Sequence, residues 1–343
     1  YLKTISDRGN IKLAESISKT AEDVGNQYIK TFSFSSHEIG LLFGHVQSGK
    51  TGQMFGIMCK AAGLGFPVFV LLTTDNVVLQ QQTLDRVKSD LSGFCICGET
   101  DGGLFLENSL IEPTIIVLKK NYRILKLWAG ILNSTGFMKG NPLFIIDDEA
   151  DAASLNTLIN KGKKSSINRY LDMIKNESSS SIYLQVTGTP QALLLQTLAS
   201  DWHPYFTYYF QPGEAYLGGD FFFPKNQRAD CISFLEDLDN PTRSVLLHHL
   251  AVAGQTSASG GKVSNCLIHP SVRQNVHSRF AADFEKELSW CLDNLHDAFK
   301  EALEKEYASL KPEKSVKVSF NSLFAEAEKM LLNNSVKILI ING

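Results

Sequence analysis

Five apolar runs frame the N-terminal part of the chain: EIGLLF (38–43), PVFVLL (67–72), TIIVLKK (114–120), PLFIIDD (142–148) and SIYLQVTGT (181–189). Each has strand length, and none alternates cleanly between apolar and polar positions, so both faces of each strand should be covered. Between them lie segments with helical spacing, TGQMFGIMCKAAGLG (51–65), NVVLQQQTLDRVKSDL (76–91) and NYRILKLWAGIL (121–132). Strands of this kind alternating with helices predict a parallel sheet, and residues 38–200 read as one α/β domain. Residues 1–37 precede it as a collar, with a polar helix over 5–30.

The pattern changes after residue 200. HPYFTYYFQPGEAYLGGDFFFPK (203–225) is dense in aromatics, glycine and proline. It reads either as a base-stacking platform or as an irregular packed core between domains, in an insertion and linker over 201–262. Helix-like CISFLEDLDNPTRSVLLHHLAVA (231–253) and the flexible GQTSASGGK (254–262) follow. SNCLIHPS (264–271) predicts a new strand, a charged helical region covers 272–310, another helix covers 321–332, and SVKILIING (335–343) predicts a last strand. Residues 263–343 therefore read as the start of a second α/β domain. Two strands are too few for a sheet, so the remainder is expected beyond the sequence in hand.

Bulk composition alters this picture little. At 343 residues, 43% hydrophobic and 20% charged, the chain has ordinary globular composition and room for two domains. No apolar run is long enough to span a membrane, and the first residues lack the apolar core of a signal peptide, so a cytoplasmic location is expected. A net charge of −3 argues against a non-specific basic coat for nucleic acid but leaves room for a local basic groove. The six cysteines lack zinc-site spacing, and Cys95 and Cys97 read as strand cysteines. The eight histidines do not pair with acids at metal-ligand spacing, and His45 sits where it would edge a nucleotide pocket.

Chemistry enters with GHVQSGKT (44–51), which fits G-x-x-x-x-G-K-[ST] between a strand and a helix. Gly44 and Gly49 permit the close backbone approach that phosphate binding needs, with Gln47 and Ser48 between them. Lys50 would reach the β- and γ-phosphates of ATP, and Thr51 would place its hydroxyl on Mg²⁺. PLFIIDDEAD (142–151) ends an apolar strand in acids. Asp148 is read as the Mg²⁺-holding acid, Glu149 as the base for the attacking water and Asp151 as a link to a neighbouring motif. The double acid Asp147–Asp148 leaves the metal ligand's register open by one residue. On the next strand, LQVTGTP (184–190) brings Thr187 and Thr189 near the γ-phosphate and the acids.

In this order, GHVQSGKT, IIDDEAD and VTGTP resemble motifs I, II and III of superfamily 2 helicase-like ATPases. Together with QQTLDR (81–86), VLKKN (117–121), TGTPQALL (187–194) and CLIHPS (266–271), they are similar to the Z1-domain family. The resemblance covers about residues 40–343. It implies a RecA-like P-loop NTPase domain, an insertion and the start of a second RecA-like domain, with ATP and Mg²⁺ as cofactors. By it, Gln47, Ser48, Gly49, Lys50 and Thr51 are nucleotide contacts, Asp148 and Glu149 the metal and catalytic acids, and Thr187 and Thr189 coupling residues. The family accompanies restriction and phage-defence operons, often beside a GHKL ATPase and a nuclease. Gly188 stands where its third motif usually has alanine. The family's later motifs and its arginine finger are expected beyond Gly343, which predicts weak hydrolysis by this chain alone. Nothing in the sequence resembles a nuclease core.

Nucleic-acid contacts are read at two strand ends, Thr73 and Thr74 in LLTTDN and Lys119 and Lys120 in LKKN, with solvated loops as the alternative. The basic stretch NKGKKSSINR (160–169) reads as a surface loop, and Arg86 points either to the acids or to solvent. Two functions fit: an ATP-hydrolysing motor on DNA, or a nucleotide-gated scaffold that docks a nuclease or GHKL ATPase without translocation.

Overall fold

The computed structural model describes residues 1–152, 154, 165–197, 202–213, 216–225, 239–271, 273–311 and 316–341. The chain divides into two compact units, Tyr1–Ala229 and Asp230–Gly343.

The first unit is built on seven strands: β1 (His37–Phe43), β2 (Val68–Thr73), β3 (Cys95–Cys97), β4 (Thr114–Lys119), β5 (Leu143–Asp148), β6 (Ser181–Thr187) and β7 (Phe206–Tyr209). All pairings are parallel, in the order β3-β4-β2-β5-β6-β1-β7. The five apolar runs are therefore strands, and their continuous apolarity has the expected cause: all six residues of β2 are buried. Alternate residues feed two cores. On one face Phe69, Leu71, Val117, Phe144 and Leu184 pack with Met54, Phe55 and Met58. On the other, Val70, Leu72, Ile116, Ile145 and Tyr183 pack with Leu125, Trp128 and Leu171.

The helices of this unit are α1 (Leu2–Asp7), α2 (Ile11–Val24), α3 (Lys50–Gly63), α4 (Val77–Asp90), α5 (Gly102–Asn108), α6 (Tyr122–Ser134), α7 (Ser166–Lys175), α8 (Gln191–Thr197) and α9 (Gly219–Phe222). Asn76 and Asn121 start α4 and α6 by accepting the N–H groups of Leu79 (3.1 Å) and Arg123 (3.0 Å). The collar is α1 and α2, continued by a π turn over Gly25–Ile29. It lies on α3, where a Cβ on Gly52 or Gly56 would come within 2.9 or 2.5 Å of Ile17.

The aromatic stretch after residue 200 contributes β7, alongside β1, rather than wholly irregular chain. Its rings fill space left by glycines of the neighbouring strand and loop. A Cβ on Gly40 would lie 2.2 Å from the Phe206 ring, and one on Gly44 2.4 Å from Phe210. Trp202, Phe206 and Phe210 are buried in the two cores of the first unit itself rather than in a core between domains, whereas Tyr205 and Phe223 are exposed.

The second unit contains α10 (Pro241–Ala258), α11 (Gln274–Asp293), α12 (Ala298–Ser309) and α13 (Phe320–Leu332). Leu246, Leu250, Phe299, Leu303, Leu323 and Leu331 form its core. The charged helical region breaks into α11 and α12. The strands expected at 264–271 and 335–343 do not form among the described residues, which carry no ladder there. A strand needs a partner for its backbone N–H and C=O groups, and among the described residues neither segment has one; Leu267, Leu339 and Ile341 stay exposed. Residues 342–343 lie outside the described residues, as do 160–164 of the basic stretch and 231–238 of the helix-like segment.

Candidate functional site

Strands β5, β6 and β1 are neighbours and parallel, so the turns at their carboxyl ends meet at one edge of the sheet. Open α/β sheets bind ligands at such an edge. The turns are residues 44–49, 149–151 and 188–190, and they bring the three sequence motifs together.

The first turn leads into α3 through Gly49 at φ 90°, a conformation that favours glycine. Gln47 is also left-handed, at φ 58°. The loop is knotted on the carbonyl of His45, which accepts the Ser48 N–H (3.2 Å), the Ser48 hydroxyl (2.5 Å) and Lys50 Nζ (3.4 Å). The first N–H groups of a helix have no partner within it, and here the residue before them is glycine, without a side-chain cap. A loop of this shape opening a fourteen-residue helix suits phosphate oxygens. Gly188 faces the same place: a Cβ there would lie 3.1 Å from Lys50 Nζ and 3.3 Å from Val46 Cγ2. Glycine at this position thus leaves Lys50 room.

A strap from the aromatic stretch holds the loop from outside. Tyr216 donates its hydroxyl to the Val46 carbonyl at 2.7 Å, and its ring stacks on His45 at 5.6 Å between centroids. Sequence reasoning had no means of joining Tyr216 to a loop 170 positions earlier.

In the second turn the two aspartates part company. Asp147 is fully buried, pairs with Lys120 at 3.0 Å and accepts the Tyr183 hydroxyl at 2.7 Å, so both its oxygens are used internally. Asp148 is the carboxylate left at the edge, where it accepts the Glu149 N–H at 3.1 Å and lies within the field of Lys50. Burial, then the neighbouring Glu149 carboxylate, pushes the Asp148 carboxyl up to about 6, against the pull of Lys120 and Lys50. Glu149 is exposed and takes φ 53°, a left-handed conformation that costs a non-glycine residue about 1–3 kcal/mol and clusters at functional sites.

The third turn closes on the second. Thr187 donates its hydroxyl to Asp151 at 2.7 Å, Thr189 donates to the other Asp151 oxygen, and the Thr189 N–H donates to the Thr187 hydroxyl at 2.9 Å. Burial works the other way, yet the hydroxyls of Thr189 and Thr187 hold the Asp151 carboxyl below the usual range.

One hydroxyl and one carboxylate, from Thr51 and Asp148, suit Mg²⁺, which usually takes one or two protein ligands and completes its shell with phosphate oxygens and water. Among the described residues, no cluster of three or more His, Cys, Asp or Glu could hold a metal by itself. The Asp148 shift carries a stability consequence. The folded-state value, about 6, lies above the ordinary 3.8. The native state therefore binds the extra proton, and stability falls as pH rises through that window. Asp148→Asn should stabilise the metal-free protein at pH 7 by on the order of 2–3 kcal/mol, with the gain gone below about pH 4. Urea unfolding at the two pH values checks this, and an equal effect at both would contradict it.

The nucleic-acid residues need correction. Lys120 is fully buried and donates to four oxygens, so it cannot reach a bound strand. Thr73 is buried, with its hydroxyl on the Thr74 and Leu118 carbonyls. Lys119 is largely buried and pairs with Glu99 at 3.6 Å. Only Thr74 of the four keeps an uncommitted side chain at the strand end, half-buried. On α6, which follows this strand end, Tyr122, Arg123 and Lys126 are exposed. Arg86 is exposed, its guanidinium 5.9 Å from the Phe55 ring centroid.

No family model matches the chain, and no curated protein matches it. Among solved structures it is similar to the crystal structure of the Pyrococcus furiosus Hef helicase domain, at 13% identity over 92% of this chain and 68% of that one, with a TM-score of 0.42. The fold class rests on the sheet itself. The first unit is α/β and RecA-like: the loop-bearing strand β1 and the acid-bearing strand β5 flank the single strand β6 in an all-parallel sheet. No helix among the described residues is long and apolar enough to cross a membrane.

Proposed function

We propose that the protein is an ATP-binding and ATP-hydrolysing helicase-like motor of the Z1 type, acting on DNA within a phage-defence or restriction complex. One observation carries the nucleotide reading: the loop 44–51, the acids 148–151 and the hydroxyls of Thr187 and Thr189 converge at the carboxyl ends of three adjacent strands. In this reading the loop N–H groups and Lys50 bind the phosphates. Thr51 and Asp148 hold Mg²⁺, which would neutralise phosphate charge. Glu149 orients a water and accepts its proton. Asp151, gripped by Thr187 and Thr189, ties the position of the acid turn to the end of β6.

DNA phosphates and bases are assigned to Thr74 and the α6 face of Tyr122, Arg123 and Lys126. The assignment of residues 263–343 to a second RecA-like domain belongs to the same proposal.

A second reading, a nucleotide-gated scaffold for a nuclease or GHKL ATPase partner, draws on the strap. Tyr216 ties the phosphate loop to a segment that exposes Phe221, Phe222 and Phe223. ATP turnover with and without DNA separates the two. The motor predicts stimulation by DNA, and stimulation by a partner protein alone would favour the scaffold.

A further inference from the structure

Lys120 takes no part in the chemistry proposed above, yet its ammonium is completely enclosed. It donates to Asp147 Oδ1 at 3.0 Å and to the carbonyls of Asp148 (2.8 Å), Glu149 (2.7 Å) and Ala152 (2.9 Å). Three of these oxygens are backbone carbonyls from one turn. Carbonyl oxygens aimed at a common point repel one another unless a cation occupies it. The lysine ammonium, a compact point charge with three N–H donors, fills that role. With its carbonyls turned inward on Lys120, the turn leaves the Asp148 side chain half-buried at the edge and that of Glu149 exposed. Two backbone hydrogen bonds, one to β6 and one within the turn, agree. The Ala150 N–H donates to the Val186 carbonyl of β6 at 3.0 Å, and the Ala152 N–H closes the turn on the Glu149 carbonyl at 2.9 Å. Glu149 sits in a left-handed conformation that persists only where its surroundings hold it. The Lys120 bond to its carbonyl is one such hold.

We propose that Lys120 is a positioning residue: its ammonium is a built-in cation around which the turn 147–152 folds, and it sets Asp148 and Glu149 in place beside the phosphate loop. This rests on the nucleotide reading for its consequence in catalysis. The competing possibility is that Lys120 serves only as counter-ion to the buried Asp147.

Lys120→Met alone would leave Asp147 charged and unpaired in the core, so the test uses Lys120→Met combined with Asp147→Asn, which removes both charges. Hydrogen exchange of the intact protein is followed at the Ala150 and Ala152 amides, together with calorimetric ATP binding and turnover. The double variant should exchange these two amides faster while β5 and β6 stay protected. Its kcat should fall about a hundredfold, as for a catalytic group misplaced by about an ångström. KM for ATP should stay within about twofold, because the phosphate loop is untouched. Unchanged protection of the turn, or wild-type kcat, would overturn the proposal in favour of the counter-ion role. Should the double variant fail to fold, Lys120→Arg decides. It keeps Asp147 paired, but a flat guanidinium cannot aim at four converging oxygens, so the same loosened turn and lowered kcat are expected. Wild-type behaviour of Lys120→Arg on both readouts would overturn the proposal. If the wild-type protein binds no ATP, the nucleotide reading fails, and the exchange readout still decides whether Lys120 organises the turn.

Discussion

Lys50→Ala should weaken ATP binding at least about a hundredfold, because charge-assisted hydrogen bonds of this kind are each worth about 1.5–3 kcal/mol. Among the described residues the Lys50 ammonium makes one long hydrogen bond, 3.4 Å, to the carbonyl of His45 in its own loop, so little competes with a phosphate for it. The Gly188 turn leaves it space. The substitution removes no buried partner, and Lys50 opens α3, where alanine is a good helix former. Thermal unfolding should therefore change little while calorimetry loses the binding heat. Equal affinity in the variant and the wild type would remove phosphate binding from this loop.

Glu149→Gln should separate binding from chemistry. The amide keeps the size of the side chain but cannot accept a proton from water, and general-base contributions are typically about 10²–10⁴-fold. ATP affinity should match the wild type while turnover falls at least about a hundredfold. The exposed Glu149 carboxylate accepts no hydrogen bond among the described residues, so the variant should also fold normally. Turnover surviving in Glu149→Gln would move the base elsewhere. Asp147 is a poor substitute, since its oxygens are occupied by Lys120 and Tyr183.

What the sequence made legible divides along physical lines. Strands β1, β2, β4, β5 and β6 announced themselves because both faces of each are buried, which leaves a run of apolar residues that few other structures need. The three motif segments were legible as well, since each packs its chemistry into consecutive residues at a strand end. Long-range pairing was not. That Asp147 and not Asp148 is the enclosed acid depends on Lys120 and Tyr183, 27 and 36 positions away, and neighbouring aspartates carry no mark of which is paired. Lys119 and Lys120 looked like surface cations because adjacent lysines usually are. Strand alternation turns them to opposite sides, one to Glu99 and the other into the acid turn. Strand β7 was hidden because a four-residue edge strand in an aromatic stretch has no periodicity to read, and its fit depends on the missing side chains of Gly40 and Gly44. The expected strands of the second unit failed for the opposite reason: apolar character can nominate a strand, but only a partner makes one.

The central claim, that residues 44–51 form a nucleotide phosphate site, is tested most directly by hydrogen exchange of the intact protein with and without ATP and Mg²⁺. Exchange should slow at the amides of residues 45–51 and in the acid turn 148–152, with the amides of α10 to α13 unchanged. ATP binding that protects some other segment and leaves 45–51 exchanging as before would contradict it.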